Sequence, residues 1–155
     1  MSRITQPDLF RKRRKPVRLG PTEHVEQTMF CQWLLFHNPV AAKRLFAVPN
    51  GEYRTIGAAK RLKAEGTRAG VSDLILLLPT ERYAGFCLEF KRADETWCAV
   101  RMEQRDFLYQ AERDGYAAAV AFGFEHGRYL MTRYLAGDEI TLDECKTYAK
   151  EKRKR

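Results

Sequence analysis

Long apolar runs are missing from this sequence of 155 residues. None approaches the roughly 20 residues that a helix needs to cross a bilayer, which argues against a membrane span. The basic N-terminal stretch is not followed by the apolar segment of a secretory signal, so a soluble, cytoplasmic protein is expected. Cysteine is sparse and shows no pairing pattern. Cys31, Cys87, Cys98 and Cys145 form no C-x-x-C unit and none sits near a histidine at zinc-finger spacing. Cys31 and Cys87 fall in apolar segments, where a thiol behaves as a small hydrophobe, so reduced structural thiols are expected. His24, His37 and His126 are scattered and make no metal-ligand pattern. Negative charge is in deficit: 20 acidic residues against 28 basic ones, a formal net charge of +8. That balance favours a polyanionic partner, nucleic acid before an anionic membrane surface, although a basic protein can be basic incidentally. A hydrophobic fraction of 45% is enough for a globular core, and the length suits one domain.

What is present divides the chain in three. Residues 1–20 hold seven basic residues, two prolines and no hydrophobic period, which reads as a basic flexible arm that could strap phosphates or simply stay solvated. Residues 21–135 carry the periodic elements. Residues 136–155 read as a helical extension with a basic tail. Thr22 is a suitable N-cap for a helix with Met29, Phe30, Trp33 and Leu34 at helical spacing, stopped by Asn38-Pro39. A short strand is expected over 44–48, a basic helix over 56–65, and strands over 71–78, 85–91 and 116–122. Residues 93–99 read as a loop, and helices are expected over 100–114, 124–135 and 141–151. This order suggests an α/β sandwich around a mixed sheet. Trp33 and Phe107 are expected in the core rather than stacked on bases.

Charge inside apolar strands is costly unless it is paired or binds a cation. Asp73 nevertheless interrupts one apolar run, and Glu89 with Lys91 interrupts the next. Side chains alternate along a strand, so Glu89 and Lys91 share a face. A hairpin loop over 79–83 would set Asp73 directly across from Glu89. Two carboxylates and one ammonium on one face suit phosphodiester hydrolysis with Mg²⁺ or Mn²⁺, which take hard oxygen ligands. A structural salt bridge at a strand end would use the same residues. Lys60, Arg61, Lys63 and Arg68 precede the Asp73 strand and could form a phosphate-contacting rim, or serve as surface charge.

Five blocks in order resemble the VRR-NUC family, a branch of the PD-(D/E)xK nuclease superfamily. They are Glu23-His-Val-Glu-Gln27 with Trp33; Val48-Pro-Asn-Gly51 followed by Arg54; Gly70-Val-Ser-Asp-Leu74; Leu88-Glu-Phe-Lys91; and Glu103-Gln104 opening a helix that ends near Gly115-Tyr116. Each block is weak alone; the order and spacing make the set specific over most of residues 22–123. The resemblance implies a restriction-endonuclease-like αβββαβ core, with a mixed central sheet flanked by helices. It implies Asp73 and Glu89 as metal ligands, the Phe90 backbone carbonyl facing the metal, and Lys91 as the catalytic lysine. A first-helix glutamate, Glu23 or else Glu26, would support the site through a water. Helix-start chemistry accounts for Glu23, Glu26 and Gln27 equally well. Gln104 would stand near the phosphate or the lysine, and Asn50 and Arg54 by the substrate. Asn50-Gly51 also has the character of a turn.

Two positions depart from the family pattern. Ser72 stands where proline usually precedes the aspartate, and Arg101-Met102 where Ser-Pro often precedes Glu-Gln. The resemblance further implies a stand-alone, phage-type DNA endonuclease in a bacterial or phage-infected cell, acting on branched DNA such as four-way junctions and leaving a 5′ phosphate. Symmetric junction cutting implies a homodimer. The alternative is a basic DNA-binding module without catalysis.

Overall fold

The computed structural model of the chain describes residues 20–48 and 56–152. Helix α1 (Glu23–His37) starts at Thr22, whose side chain accepts the Val25 N–H. It stops at Asn38 as expected, but Asn38 also caps a four-residue helix α2 (Pro39–Ala42), with Pro39 in its first turn. Strand β1 (Leu45–Ala47), helix α3 (Ile56–Ala64), strands β2 (Leu74–Leu76) and β3 (Phe86–Lys91) and a 3₁₀ turn (Trp97–Ala99) follow. Helix α4 (Met102–Arg113), strand β4 (Ala117–Phe122) and helices α5 (Phe124–Ala136) and α6 (Leu142–Lys152) complete the order. The expected run of elements is there, with α2 and the 3₁₀ turn added.

The strands form one mixed sheet in the order β1-β2-β3-β4. β1, β2 and β3 pair antiparallel, and β3 pairs parallel with β4 across the α4 crossover. The β3–β4 register aligns Phe86 with Ala117, Leu88 with Ala119 and Phe90 with Ala121, so these six share one face. Helices α1 and α5 cover that face. The Phe30 ring lies 5.1 Å from Phe90, and Tyr134 stacks on Phe86 at 4.9 Å. Gly127 permits the close approach of α5, because a Cβ there would lie 2.7 Å from the Phe90 ring. The other face, with Cys87, Glu89, Val120 and Phe122, receives α4 through Gln104 and α6 through the buried Cys145.

Both faces of β3 and β4 are buried along their length, as near-continuous apolar runs predict. Trp33 and Phe107 are half-buried and pack on the core, in line with the sequence reading. Leu142, Cys145 and Ala149 of α6 belong to the same core. Lys146 further lays its ammonium over Trp97 and Tyr109, at 5.2 and 5.0 Å from the ring centres. Among the described residues the cysteines are free thiols, and no helix is long and apolar enough to cross a membrane.

Candidate active site

The β2–β3 register pairs Leu74 with Leu88, and one step further sets Asp73 opposite Glu89, the pairing expected from a hairpin loop over 79–83. The connection is longer than expected, since β2 ends at Leu76 and β3 starts at Phe86. The Asp73 Oδ2 accepts the Phe90 N–H at 2.9 Å, which fixes the carboxylate against the C-terminal end of β3. Glu89 is fully buried. Its Oε1 accepts from Lys91 Nζ at 2.5 Å and from the Gln104 side-chain amide. Its Oε2 is buried, with no hydrogen-bond partner among the described residues. Burial, then the neighbouring Asp73 charge, push the Glu89 carboxyl up to about 8, against the pull of Lys91.

Lys91 is buried as well, with Nζ 2.8 Å from the Phe90 carbonyl oxygen and 3.5 Å from Glu23 Oε2. Burial alone would lower its pKa; the Glu89, Glu23 and Asp73 carboxyls outweigh that and raise it. The Glu23 carboxyl is also raised, by burial first and then by Asp73 and Glu95, against Lys91. These shifts point the same way: the cluster holds protons more tightly than its separated groups would. A cation beside Glu89 Oε2 and Asp73 would reverse that tendency.

The two first-helix glutamates have different surroundings. Glu23 faces Lys91. Glu26 is buried, and its Oε2 accepts the Phe124 N–H at 2.7 Å, capping α5 where it leaves β4. Glu26→Ala should therefore lower unfolding stability by about 2 kcal/mol, the scale of a charged buried hydrogen bond. Glu23→Gln should leave stability within about 0.5 kcal/mol, as for a half-exposed side chain. Urea denaturation of the two variants checks this; equal losses would refute the division of roles.

Gln104 makes two contacts through its side-chain amide, one to its own helix and one to Glu89. Its Oε1 accepts the Arg101 N–H at 3.0 Å, closing the first turn of α4, while its amide nitrogen donates to Glu89. Gly70 locks this turn to the segment leading into Asp73. It has φ +87°, and a Cβ there would lie 2.5 Å from the Glu103 carbonyl oxygen.

Lys60, Arg61, Lys63 and Arg68 are exposed, with Arg61 3.6 Å from Glu65. Asn50 and Arg54 lie outside the described residues, as does the arm over 1–19. Groups not anticipated from sequence also border the site. Arg92 follows Lys91 directly and pairs with Asp94 at 2.9 Å, and Glu95 lies close enough to raise Glu23. Nothing in the sequence pattern separates these residues from ordinary loop charges.

Asp73 and Glu89 are two carboxylates, not three. Among the described residues no group of three or more His, Cys, Asp or Glu is arranged to hold a metal ion. The Phe90 carbonyl, expected to face a metal, accepts from Lys91. Two carboxylates with water completing the shell remain a normal Mg²⁺ donor set, and the unpartnered buried Glu89 Oε2 fits a cation. Two cavities, about 440 Å³ between α5 and α6 and about 340 Å³ beside Phe46 and Phe107, lie elsewhere.

A hairpin bearing Asp73 and Glu89-Phe-Lys91, followed by a parallel crossover and sandwiched by helices, has the restriction-endonuclease-like α/β architecture. Within that architecture the chain has the VRR-NUC fold. A solved VRR_NUC domain protein superposes with a TM-score of 0.65, covering 79% of this chain and 94% of that one at 21% sequence identity. No family model matches the sequence, and a search of curated proteins finds no match.

Proposed function

We propose that the protein is a divalent-metal-dependent DNA endonuclease that hydrolyses phosphodiester bonds in branched or structured DNA, such as four-way junctions. The observation that carries this reading is Glu89: a fully buried carboxylate with one unpartnered oxygen, beside Asp73 and in contact with Lys91. A purely structural ion pair would satisfy its buried oxygens. The shared fold and the net charge of +8 support a nucleic-acid substrate.

Asp73 and Glu89 would hold Mg²⁺ or Mn²⁺, which supplies Lewis acidity at the scissile phosphate. Asp73 is held in place by the Phe90 N–H, and Glu89 by Lys91 and Gln104. Lys91, cationic and anchored by Glu89 and Glu23, orients the attacking water and offsets charge building on the phosphate oxygens. Water oxygen bonds to phosphorus as the bond to the 3′ oxygen breaks; the water gives up one proton to solvent and the 3′ oxygen takes one up from solvent to leave as a hydroxyl. The downstream fragment keeps the phosphate on its 5′ end. Lys60, Arg61, Lys63 and Arg68 supply the phosphate-contacting rim. Symmetric cutting of a junction calls for two copies of the chain, acting inside the cell.

The test is cleavage of a labelled four-way junction and a matched linear duplex with Mg²⁺, Mn²⁺ or EDTA, by wild type, Asp73→Ala and Lys91→Ala. Metal-dependent cutting should fall by about 10³-fold or more in both variants. If wild type binds DNA but cuts neither substrate with either metal, the protein is a DNA-binding module and the enzyme reading fails.

A further inference from the structure

We propose that Arg101 and Met102, at the start of α4, grip the DNA strand beside the scissile phosphate, with Arg101 on a neighbouring phosphate and Met102 against a base. This rests on the nuclease reading for the position of the scissile phosphate. The placement follows from hydrogen bonds already described. The Arg101 N–H binds Gln104 Oε1, and the other end of the same amide binds Glu89. The Arg101 backbone is thus fixed two hydrogen bonds from a carboxylate of the site. Side chains on an α-helix tilt toward its N-terminus, so Met102, although on the outward side of α4, leans toward the end that holds Glu89.

The chemistry of the pair is unusual for its surroundings. Other arginines near the site are tied down: Arg92 to Asp94, and Arg105 to the Trp97 carbonyl oxygen at 2.9 Å. Arg101 is exposed and makes no side-chain ion pair or hydrogen bond among the described residues. Met102 is 64% exposed, whereas Leu108 and Ala111 of the same helix are buried. One exposed methionine is unremarkable on a surface. A free guanidinium and an exposed thioether side by side at a phosphodiester site match the two parts of a nucleotide. Arginine suits a phosphate, and an apolar wedge suits a base face wherever stacking is weak. Base stacking is already interrupted at a branch point, so the Met102 contact costs least there and favours branched over linear DNA.

The experiment measures binding to a four-way junction and a matched duplex over a range of salt in EDTA, for wild type, Arg101→Ala, Met102→Ala, Met102→Leu and Arg113→Ala. Arg113 lies at the far end of α4 and controls for charge removal. Arg101→Ala should weaken both substrates about tenfold and reduce the salt slope by about 1. Met102→Ala should keep the slope but lower the junction-to-duplex affinity ratio about fivefold, with Met102→Leu restoring it. The proposal is overturned if Arg101→Ala behaves as Arg113→Ala does, or if the ratio is unchanged in Met102→Ala. None of these readings requires cutting, so absence of cleavage would remove the nuclease reading while the binding result judges the grip separately.

Discussion

Glu89→Gln should abolish cleavage and, at pH 8 in EDTA, make the protein harder to unfold. Activity should drop by about 10³-fold or more, because the substitution removes a negative oxygen from the site where charge is handled. Stability should move the other way. In the wild type, Glu89 Oε2 is buried without a partner beside Asp73. A glutamine amide nitrogen in its place can donate to Asp73, while its oxygen still accepts from Lys91 and Gln104. The pH dependence carries the sign. The Glu89 pKa is raised on folding, from 4.5 to about 8. Its contribution to stability is therefore complete below about pH 4.5 and is lost as pH climbs toward 8. The loss should be on the order of 3 kcal/mol across that window. Urea unfolding at pH 5, 6, 7 and 8 should show the wild type weakening relative to Glu89→Gln by that amount. Parallel curves for the two proteins would refute the assignment.

Gly70→Ala should be the most damaging change outside the charged cluster. A left-handed residue with a side chain costs about 1–2 kcal/mol. At Gly70 the added Cβ would also lie 2.5 Å from a backbone oxygen of Glu103, and backbone cannot rotate away as a side chain can. Relief requires the first turn of α4 to separate from the segment entering Asp73. Total destabilisation of about 3–4 kcal/mol is expected, the range of a severe core defect. Any folded fraction should cut about 10²-fold more slowly, since a shift of about 1 Å has that effect on positioned groups. Gly66→Ala is the matched comparison, because Gly66 has φ +103° with nothing among the described residues within 4 Å of an added Cβ. It should lose only the conformational part. Thermal melts and single-turnover rates for the two variants test the difference, and equal effects would show that the contact with Glu103 is unimportant.

The hairpin could be read from the sequence because two periodicities crossed there. Apolar runs marked buried strands, and Asp73, Glu89 and Lys91 broke those runs at positions that alternation (Glu89 and Lys91) and the expected hairpin (Asp73) assign to one face. The boundaries were harder to read. Asn38-Pro39 is a sound stop signal and equally a sound start signal, and the chain uses it for both, adding α2. The apolar run over 71–78 suggested a strand of that length, yet β2 spans only Leu74–Leu76, with Leu77 exposed. Helix α4 begins at Met102 rather than at residue 100, since the 3₁₀ turn over Trp97–Ala99 ends at Val100 and Arg101 caps α4. The choice between Glu23 and Glu26 was invisible because it depends on Phe124, 98 positions away from Glu26 in sequence. Local spacing carries no information about such a partner. Arg101 was equally illegible: an arginine before a helix looks the same whether its neighbours tie it down or leave it free.

Gln104 has a consequence for how this protein can change over generations. One amide both starts α4 and braces Glu89, so under the proposed function selection for folding and selection for chemistry act on the same position. Glutamate there would keep the helix start and set a negative charge against Glu89; alanine would lose both contacts. A lineage that gave up cutting by losing Asp73 would still be held to a hydrogen-bonding residue at 104 by the helix alone. Glutamine at that position would then persist in inactive descendants as a relic of the fold, and its presence there would be no guide to activity.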